Sequence, residues 1–301
     1  MKISRVAIIG LGLIGGSVGL SVREMLPDVA TTGWDADADV RARAAERGLA
    51  GTVCDTVAEA VREADLVILC VPVGAMGYAA EAIAPHIRPG TIVSDVGSSK
   101  RSVGEALAAA LPEAVVIPAH PVAGTENSGP EAGFATLFRH RWCIVTPRDD
   151  TPPDALAALT GFWEGLGATV EIMDPRHHDL VLAVTSHIPH LIAYTIVGTA
   201  SDLEEVTRGE VIKYSAGGFR DFTRIAASNP TMWRDVFLSN RDAVLEVLGR
   251  FTEDLSLLQR AIRNGDGDTL YDLFDRTRTI RRSIIEQGQD DARPDFGRKD
   301  H

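Results

Sequence analysis

The sequence predicts an α/β domain built on a parallel sheet through about residue 172, followed by an all-helical domain. Three observations predict it. Short, continuously apolar runs alternate with helical stretches in the first half, the pattern of strands covered on both faces. A glycine-rich turn directly follows the first of those runs. After residue 173 strand signals stop, and apolar residues recur at helical spacing.

The elements follow in order. Arg5-Val6-Ala7-Ile8-Ile9 reads as a buried strand, and the glycine turn after it opens a helix to about Met25. Residues 30–34 form a second strand ending at Asp35, and helices carry residues 40–47 and 57–62. Residues 66–71 are a strand stopped by Pro72, Ile83 lies on a helix, 91–95 are a strand, and 103–110 are a helix. Residues 115–117 and 143–145 are expected to close the same sheet, and 170–173 give the last strand signal before Asp174-Pro175. Beyond it, residues 231–264 place Trp233, Phe237, Val244, Leu248, Phe251, Leu255, Leu258 and Ile262 on one stripe, with Asn240 as its polar gap. That stripe is too long for so small a domain to bury alone, which predicts a homodimer built on the helical region. The expected division is 1–172, 173–288, and a charged, disordered tail at 289–301.

Composition narrows the function. Hydrophobic residues make up 45% of the 301, enough for a substantial core. The net charge of −12 argues against nucleic acid as a partner, and an anionic substrate would need a local basic cluster. Cys54, Cys70 and Cys143 are scattered and form no C-x-x-C, so neither a disulfide framework nor a metal site is expected, which fits a reducing cytoplasm. The apolar start contains Gly10, Gly12, Gly15, Gly16 and Gly19 and reads as a folded turn rather than a secretory signal. No continuously apolar, glycine-poor run reaches 18 residues, so no membrane span is expected.

Gly10-Leu11-Gly12-Leu13-Ile14-Gly15 is a G-x-G-x-x-G lying between a strand and a helix, the context of a Rossmann-like dinucleotide-binding domain. The first glycine permits the tight turn, the second lets a pyrophosphate approach the backbone, and the third lets helix and strand pack closely. Asp35, 20 residues past Gly15, stands where an acid accepts hydrogen bonds from the ribose hydroxyls, which favours NAD over NADP. Val71 and Pro72 are expected to form the lip on the adenosine side.

Four further segments are rich in polar groups that a core would not choose. They are Asp95-Val96-Gly97-Ser98-Ser99-Lys100, His120-Pro121-Val122-Ala123-Gly124-Thr125-Glu126, Ser186-His187-Ile188-Pro189-His190 and Gly217-Gly218-Phe219-Arg220-Asp221-Phe222-Thr223-Arg224. With the glycine turn and Asn229-Pro230-Thr231-Met232-Trp233, this set resembles the prephenate/arogenate (cyclohexadienyl) dehydrogenase family over residues 4–287. The resemblance implies a dinucleotide domain joined to a helical dimerisation domain. It implies NAD-dependent oxidative decarboxylation of prephenate or arogenate, on the route to tyrosine. Which of the two substrates is used stays open.

The resemblance also implies roles. His120 accepts the proton of the substrate hydroxyl, with its ionisation expected in the ordinary histidine range, about 6–7. Ser98 hydrogen-bonds the hydroxyl or the histidine, although its place before a helix suits an N-cap equally well. Glu126 orients or tunes this site. His187 and His190, three apart, border the substrate from one helix face. Arg224 pairs with a substrate carboxylate, with Asp221 three residues earlier to hold it and Arg220 adding positive charge. Trp233 either walls the pocket or heads the apolar stripe. His177-His178-Asp179 reads only as a helix-entry feature. Two other readings stay open: a β-hydroxyacid dehydrogenase or imine reductase of the same architecture, and a non-catalytic NAD-sensing dimer. The former would place a lysine where this chain has His187 and His190.

Overall fold

Six short strands, rich in apolar residues, form a parallel sheet in the spatial order β3-β2-β1-β4-β5-β6. They are β1 Arg5–Ile9, β2 Ala30–Trp34, β3 Thr52–Val53, β4 Leu66–Leu69, β5 Ile92–Asp95 and β6 Val115–Val116. The computed structural model describes residues 2–125, 127–203 and 217–286. The central strands are continuous apolar runs because helices cover both faces, and Ile8, Leu66, Ile68 and Leu69 are wholly buried. Each such side chain contributes about 1.5–3 kcal/mol relative to exposure. The connecting helices are α1 Leu13–Met25, α2 Ala38–Arg47, α3 Val57–Val61, α4 Met76–Ile83 and α5 Arg101–Ala110. Local chemistry sets several of their ends. Asp37 caps α2 by accepting from Asp39 N, Gly48 ends that helix in the left-handed region, and Thr56 with Glu59 forms a capping box on α3.

The chain runs outward from β1 through β2 to β3, then returns to β4 and runs the other way. The strand order therefore reverses between β1 and β4, and a ligand crevice opens at their carboxyl ends. The Rossmann-like expectation holds.

One expectation about the sheet does not hold. Residues 142–145 do not close it: β8 Trp142–Val145 lies in a separate three-stranded sheet between β7 Ala119–Pro121 and β9 Thr169–Ile172. The chain turns at Pro118, whose carbonyl accepts from Thr146 N, and β7 then pairs antiparallel with β8. An apolar run declares a strand but not the sheet it joins. A helix, α6 Pro153–Gly165, connects β8 to β9.

The chain falls into two compact units, 1–245 and 246–301. The expected boundary near 172 lies between β9 and α7 Pro175–Leu182, where Asp174 caps the helix and Pro175 occupies its first position. A π-turn, Ala183–His187, joins α7 to α8 Ile188–Asp202. This helical run, Pro175–Asp202, is long and apolar enough by length and composition alone to cross a membrane, a test that the core helix of a folded domain also passes. Part of that apolarity is interior packing, since Leu182, Ala183, Ile188 and Ala193 are buried. After α9 Gly217–Thr223 and a 3-10 turn at Arg224–Ala227 come α10 Pro230–Ser239 and α11 Arg241–Asn264. The stripe over 231–264 is thus two helices, broken at Asn240, whose backbone (φ −104, ψ 31) leaves the helix while its side chain turns inward.

In the second unit, the remainder of α11 ends at Gly265 (φ +68), and α12 Gly267–Glu286 follows. Leu255, Leu257, Ile262, Tyr271, Phe274 and Ile280 of this unit are all 48% exposed or more.

Candidate active site

The glycine turn has three different environments at its three glycines. Gly10 adopts φ +97, and a Cβ there would lie 2.6 Å from the Cys70 carbonyl oxygen, so the turn needs glycine to pass the end of β4. A Cβ at Gly15 would lie 1.9 Å from the Gly10 oxygen, which fixes how closely α1 packs on the turn. Gly12, the N-cap of α1, has nothing within 4 Å of the space a Cβ would take. That open space, beside a helix start with no side-chain cap and no acidic residue in its first turn, suits a bound phosphate. Leu13 and Ile14 supply that first turn. Asp35 follows β2, and its carboxylate accepts from Leu11 N at 2.8 Å and Asp37 N at 3.0 Å, which ties it to the turn. Arg41 folds back to donate to the Asp35 backbone oxygen at 2.8 Å. Val71 is half-buried and packs on the turn, and Pro72 is exposed and leads into a 3-10 turn at Val73–Ala75.

The Asp95–Lys100 segment, polar as its sequence is, lies largely buried. Asp95, Ser99 and Lys100 are buried, and Lys100 Nζ pairs with Asp95 while donating to the Ala119 oxygen at 2.8 Å. Asp95 also accepts from Gly97 N and Ala119 N. Burial pushes the Asp95 carboxyl up and the Lys100 ammonium down, and each opposes the shift of the other. Removing either partner of such a buried pair costs about 3–5 kcal/mol. The pair fastens β7, and with it His120, to the carboxyl end of β5. Ser98, half-buried in the same loop, does not cap α5, because the N-cap is Lys100 and no side chain of that loop bonds the helix start. Asp179 performs that task from α7, accepting from Lys100 N at 2.7 Å and Arg101 N at 3.0 Å.

His120 lies within β7, opposite Ile144, and is only 8% exposed. Its Nδ1 is 2.9 Å from His178 Nε2, and His178 Nδ1 is 2.8 Å from Asp179 Oδ1. Burial first, then His178, Lys100 and His187, holds His120 well below 6.5, so the expected ionisation at about 6–7 is corrected downward. The ring is neutral at pH 7, as a proton acceptor must be. Among the described residues, nothing hydrogen-bonds its Nε2.

Asn240 links this group to the next. Its Nδ2 donates to the Asp179 backbone oxygen at 2.8 Å and sits 3.1 Å from His187 Nδ1. Burial pushes His187 down to about 4, and its Nε2 is buried with no partner among the described residues. Since the amide nitrogen of Asn240 can only donate, His187 Nε2 carries the hydrogen. Trp233, 7% exposed, stacks on His190 at 3.7 Å, meets His187 edge-on, and buries an Nε1–H that also lacks a partner. The tryptophan thus heads the apolar stripe and flanks the two histidines at once. His190 Nδ1 pairs with the Ser186 oxygen at 2.8 Å, and burial first, then the charge of Arg224, opposes its protonation. The two orphaned N–H donors thus lie in neighbouring rings, both enclosed.

The structure therefore gathers His120, His187, His190, Trp233 and Arg224 around one polar network. Arg220 and Asp221 lie exposed on α9, one helical turn before Arg224. Glu126 lies outside the described residues. The sequence reading missed His178, Asp179, Asn240 and Lys100 as members of the network. One signal was present: a histidine and an aspartate, adjacent, at the start of an otherwise apolar helical run. Among the described residues no cluster of His, Cys, Asp and Glu would hold a metal ion.

A six-stranded dinucleotide-type sheet, an uncapped glycine turn at its switch point and a polar cluster contributed by following helices define a two-part dehydrogenase. The family model "prephenate dehydrogenase, nucleotide-binding domain" matches residues 18–172, and "prephenate dehydrogenase, dimerization domain" matches 174–276. The chain belongs to the prephenate dehydrogenase family. It is 46% identical over 279 residues to the cyclohexadienyl dehydrogenase of Zymomonas mobilis, covering 93% of this chain and 95% of the relative. Among solved structures it resembles the prephenate dehydrogenase of Aquifex aeolicus in complex with hydroxyphenyl propionate and NAD+, with a TM-score of 0.88 and 30% identity. That match covers 94% of this chain and 99% of the other. It also resembles the arogenate dehydrogenase of Synechocystis, with a TM-score of 0.80 and 26% identity over 93% of this chain and 99% of the other.

Proposed function

We propose that the protein oxidatively decarboxylates prephenate, arogenate or both with NAD+, yielding 4-hydroxyphenylpyruvate or tyrosine. The observation that carries the reading is the placement of His120: neutral, nearly buried, fastened to the carboxyl edge of the sheet by Lys100, with Nε2 unengaged among the described residues. The open Gly12 position and the uncapped start of α1 hold the pyrophosphate, and Asp35 meets the adenosine ribose. NAD+ bound there supplies the hydride acceptor.

His120 takes the hydroxyl proton as the ring carbon is oxidised. The bond from the ring to its carboxylate then breaks, carbon dioxide leaves, and the electron pair passes through the ring to the oxygen. His120 returns the proton to that oxygen, so the histidine ends as it began. Ser98 hydrogen-bonds the hydroxyl, and Glu126 tunes this end of the site. Arg224 holds a substrate carboxylate, with Arg220 adding field and Asp221 steadying the arginine. His187 and Trp233 wall the substrate side of the site, and His190 stacks on Trp233. The 46% identity to a cyclohexadienyl dehydrogenase supports use of both substrates.

On this reading residues 1–172 bind the cofactor, and 173–288 bind substrate and form a homodimer in the cytoplasm. The exposed apolar residues of the second unit and the dimerisation-domain match support the dimer. Steady-state NADH formation with each substrate in parallel tests the activity. Turnover is expected with at least one, and none with either would overturn the proposal.

A further inference from the structure

His178 and Asp179 belong to no step above, yet both are buried and connected to His120. The hydrogens in this chain can be assigned by elimination. Asp179 sits at the start of α5, a ten-residue helix, and its two oxygens accept from Lys100 N and Arg101 N. With both oxygens accepting from backbone N–H groups, Asp179 acts as a carboxylate, which can only accept. His178 Nδ1, 2.8 Å from Oδ1, must therefore carry a hydrogen. A neutral His178 then has its lone pair on Nε2, and His120 Nδ1, 2.9 Å away, must donate to it. The lone pair of His120 is left on Nε2, the nitrogen with no partner among the described residues.

We propose that Asp179 and His178 are positioning residues that lock His120 in its Nδ1–H tautomer, so that Nε2 is the proton-accepting atom. A free histidine side chain favours the opposite tautomer, with the hydrogen on Nε2 and no lone pair there. The relay reverses that preference. It also gives the protonated ring an acceptor at Nδ1 that leans on an anion, so the proton taken from substrate is stabilised without a carboxylate touching His120. The buried helix start supplies the fixed point from which the order of hydrogens is read outward: backbone, Asp179, His178, His120. This inference rests on His120 being the base.

The test uses the full-length protein with nitrogen-15-labelled histidine, because the nitrogen shifts report the tautomer of each ring directly. His120 is assigned by its absence in His120→Asn. In the wild type at neutral pH, His120 and His178 should both be Nδ1–H. In His178→Leu the His120 ring should move toward Nε2–H, and kcat should fall on the order of 10²-fold, because a base in the wrong tautomer is lost to catalysis. KM for NAD+ should not change. His178→Gln, whose side-chain oxygen can accept from Nδ1, should restore the tautomer and recover part of kcat. A wild-type His120 found as Nε2–H overturns the proposal whether or not the variants fold, and so does a His178→Leu protein with normal kcat. Failure of the base assignment is separate: His120→Asn would then retain kcat whatever tautomer the wild type shows.

Discussion

Replacing Gly12 by alanine separates folding from cofactor binding. Gly12 has an extended backbone (φ −79, ψ −155) that alanine tolerates, and the added Cβ meets nothing within 4 Å. Alanine reduces unfolded-chain entropy but is a poorer N-cap, and the two effects oppose each other, so stability should change by less than about 1 kcal/mol. The same methyl fills the space over the uncapped start of α1. Displacing the pyrophosphate there weakens charge-assisted hydrogen bonds worth about 1.5–3 kcal/mol each, so the Kd for NAD+ should rise roughly tenfold or more. Gly15→Ala makes the contrast, because its Cβ would lie 1.9 Å from the Gly10 oxygen and must push α1 off the turn. It should lower Tm far more than Gly12→Ala does. Thermal melts and calorimetric titration with NAD+ read both quantities. A Gly12→Ala protein that binds NAD+ as tightly as wild type would refute the placement of the cofactor on this turn.

Three other outcomes follow from the same geometry. Arg224→Ala should raise KM for the carboxylate substrate at least tenfold while leaving KM for NAD+ unchanged, since losing one side of a charge pair costs about 2–5 kcal/mol; equal shifts in both constants would make Arg224 structural. Asp35 should make kcat/KM for NAD+ exceed that for NADP+ by tenfold or more, and equal values would remove its assigned role. Burial lowers His187 to about 4 and also depresses His120 and His178, so the unfolded chain binds more protons below 6.5. Stability should therefore be full above that pH and fall on acidification toward 4, by roughly 3 kcal/mol from His187 alone at about 1.4 kcal/mol per pH unit. Denaturant titrations across that range check it, and a flat profile would contradict it.

What the sequence made legible was local. The three glycine roles follow from spacing between a strand and a helix, and each has its counterpart in the contacts at Gly10, Gly12 and Gly15. The apolar stripe after residue 231 disclosed helices and even its polar gap at Asn240, but not that the gap is a helix break whose amide reaches His187. The rest depends on contacts between distant residues. His178 lies 58 positions from His120, so its importance arises only when α7 packs beside β7. Lysine is rarely buried, and only the fold shows Lys100 enclosed with Asp95. The 142–145 strand was visible as a strand, but its sheet is decided by the chain reversal at Pro118.

The most direct test of the account compares the wild type and His120→Asn in steady-state NADH formation with saturating NAD+ and prephenate or arogenate. Asparagine keeps a hydrogen-bonding group but cannot take the proton, and a positioned base contributes about 10²–10⁴-fold. The account predicts a fall in kcat of that order with KM for NAD+ unchanged. It also predicts that the wild-type rate holds at its plateau through pH 6.5, because burial keeps His120 neutral there. A variant with near-normal kcat would contradict the central claim and move the base elsewhere.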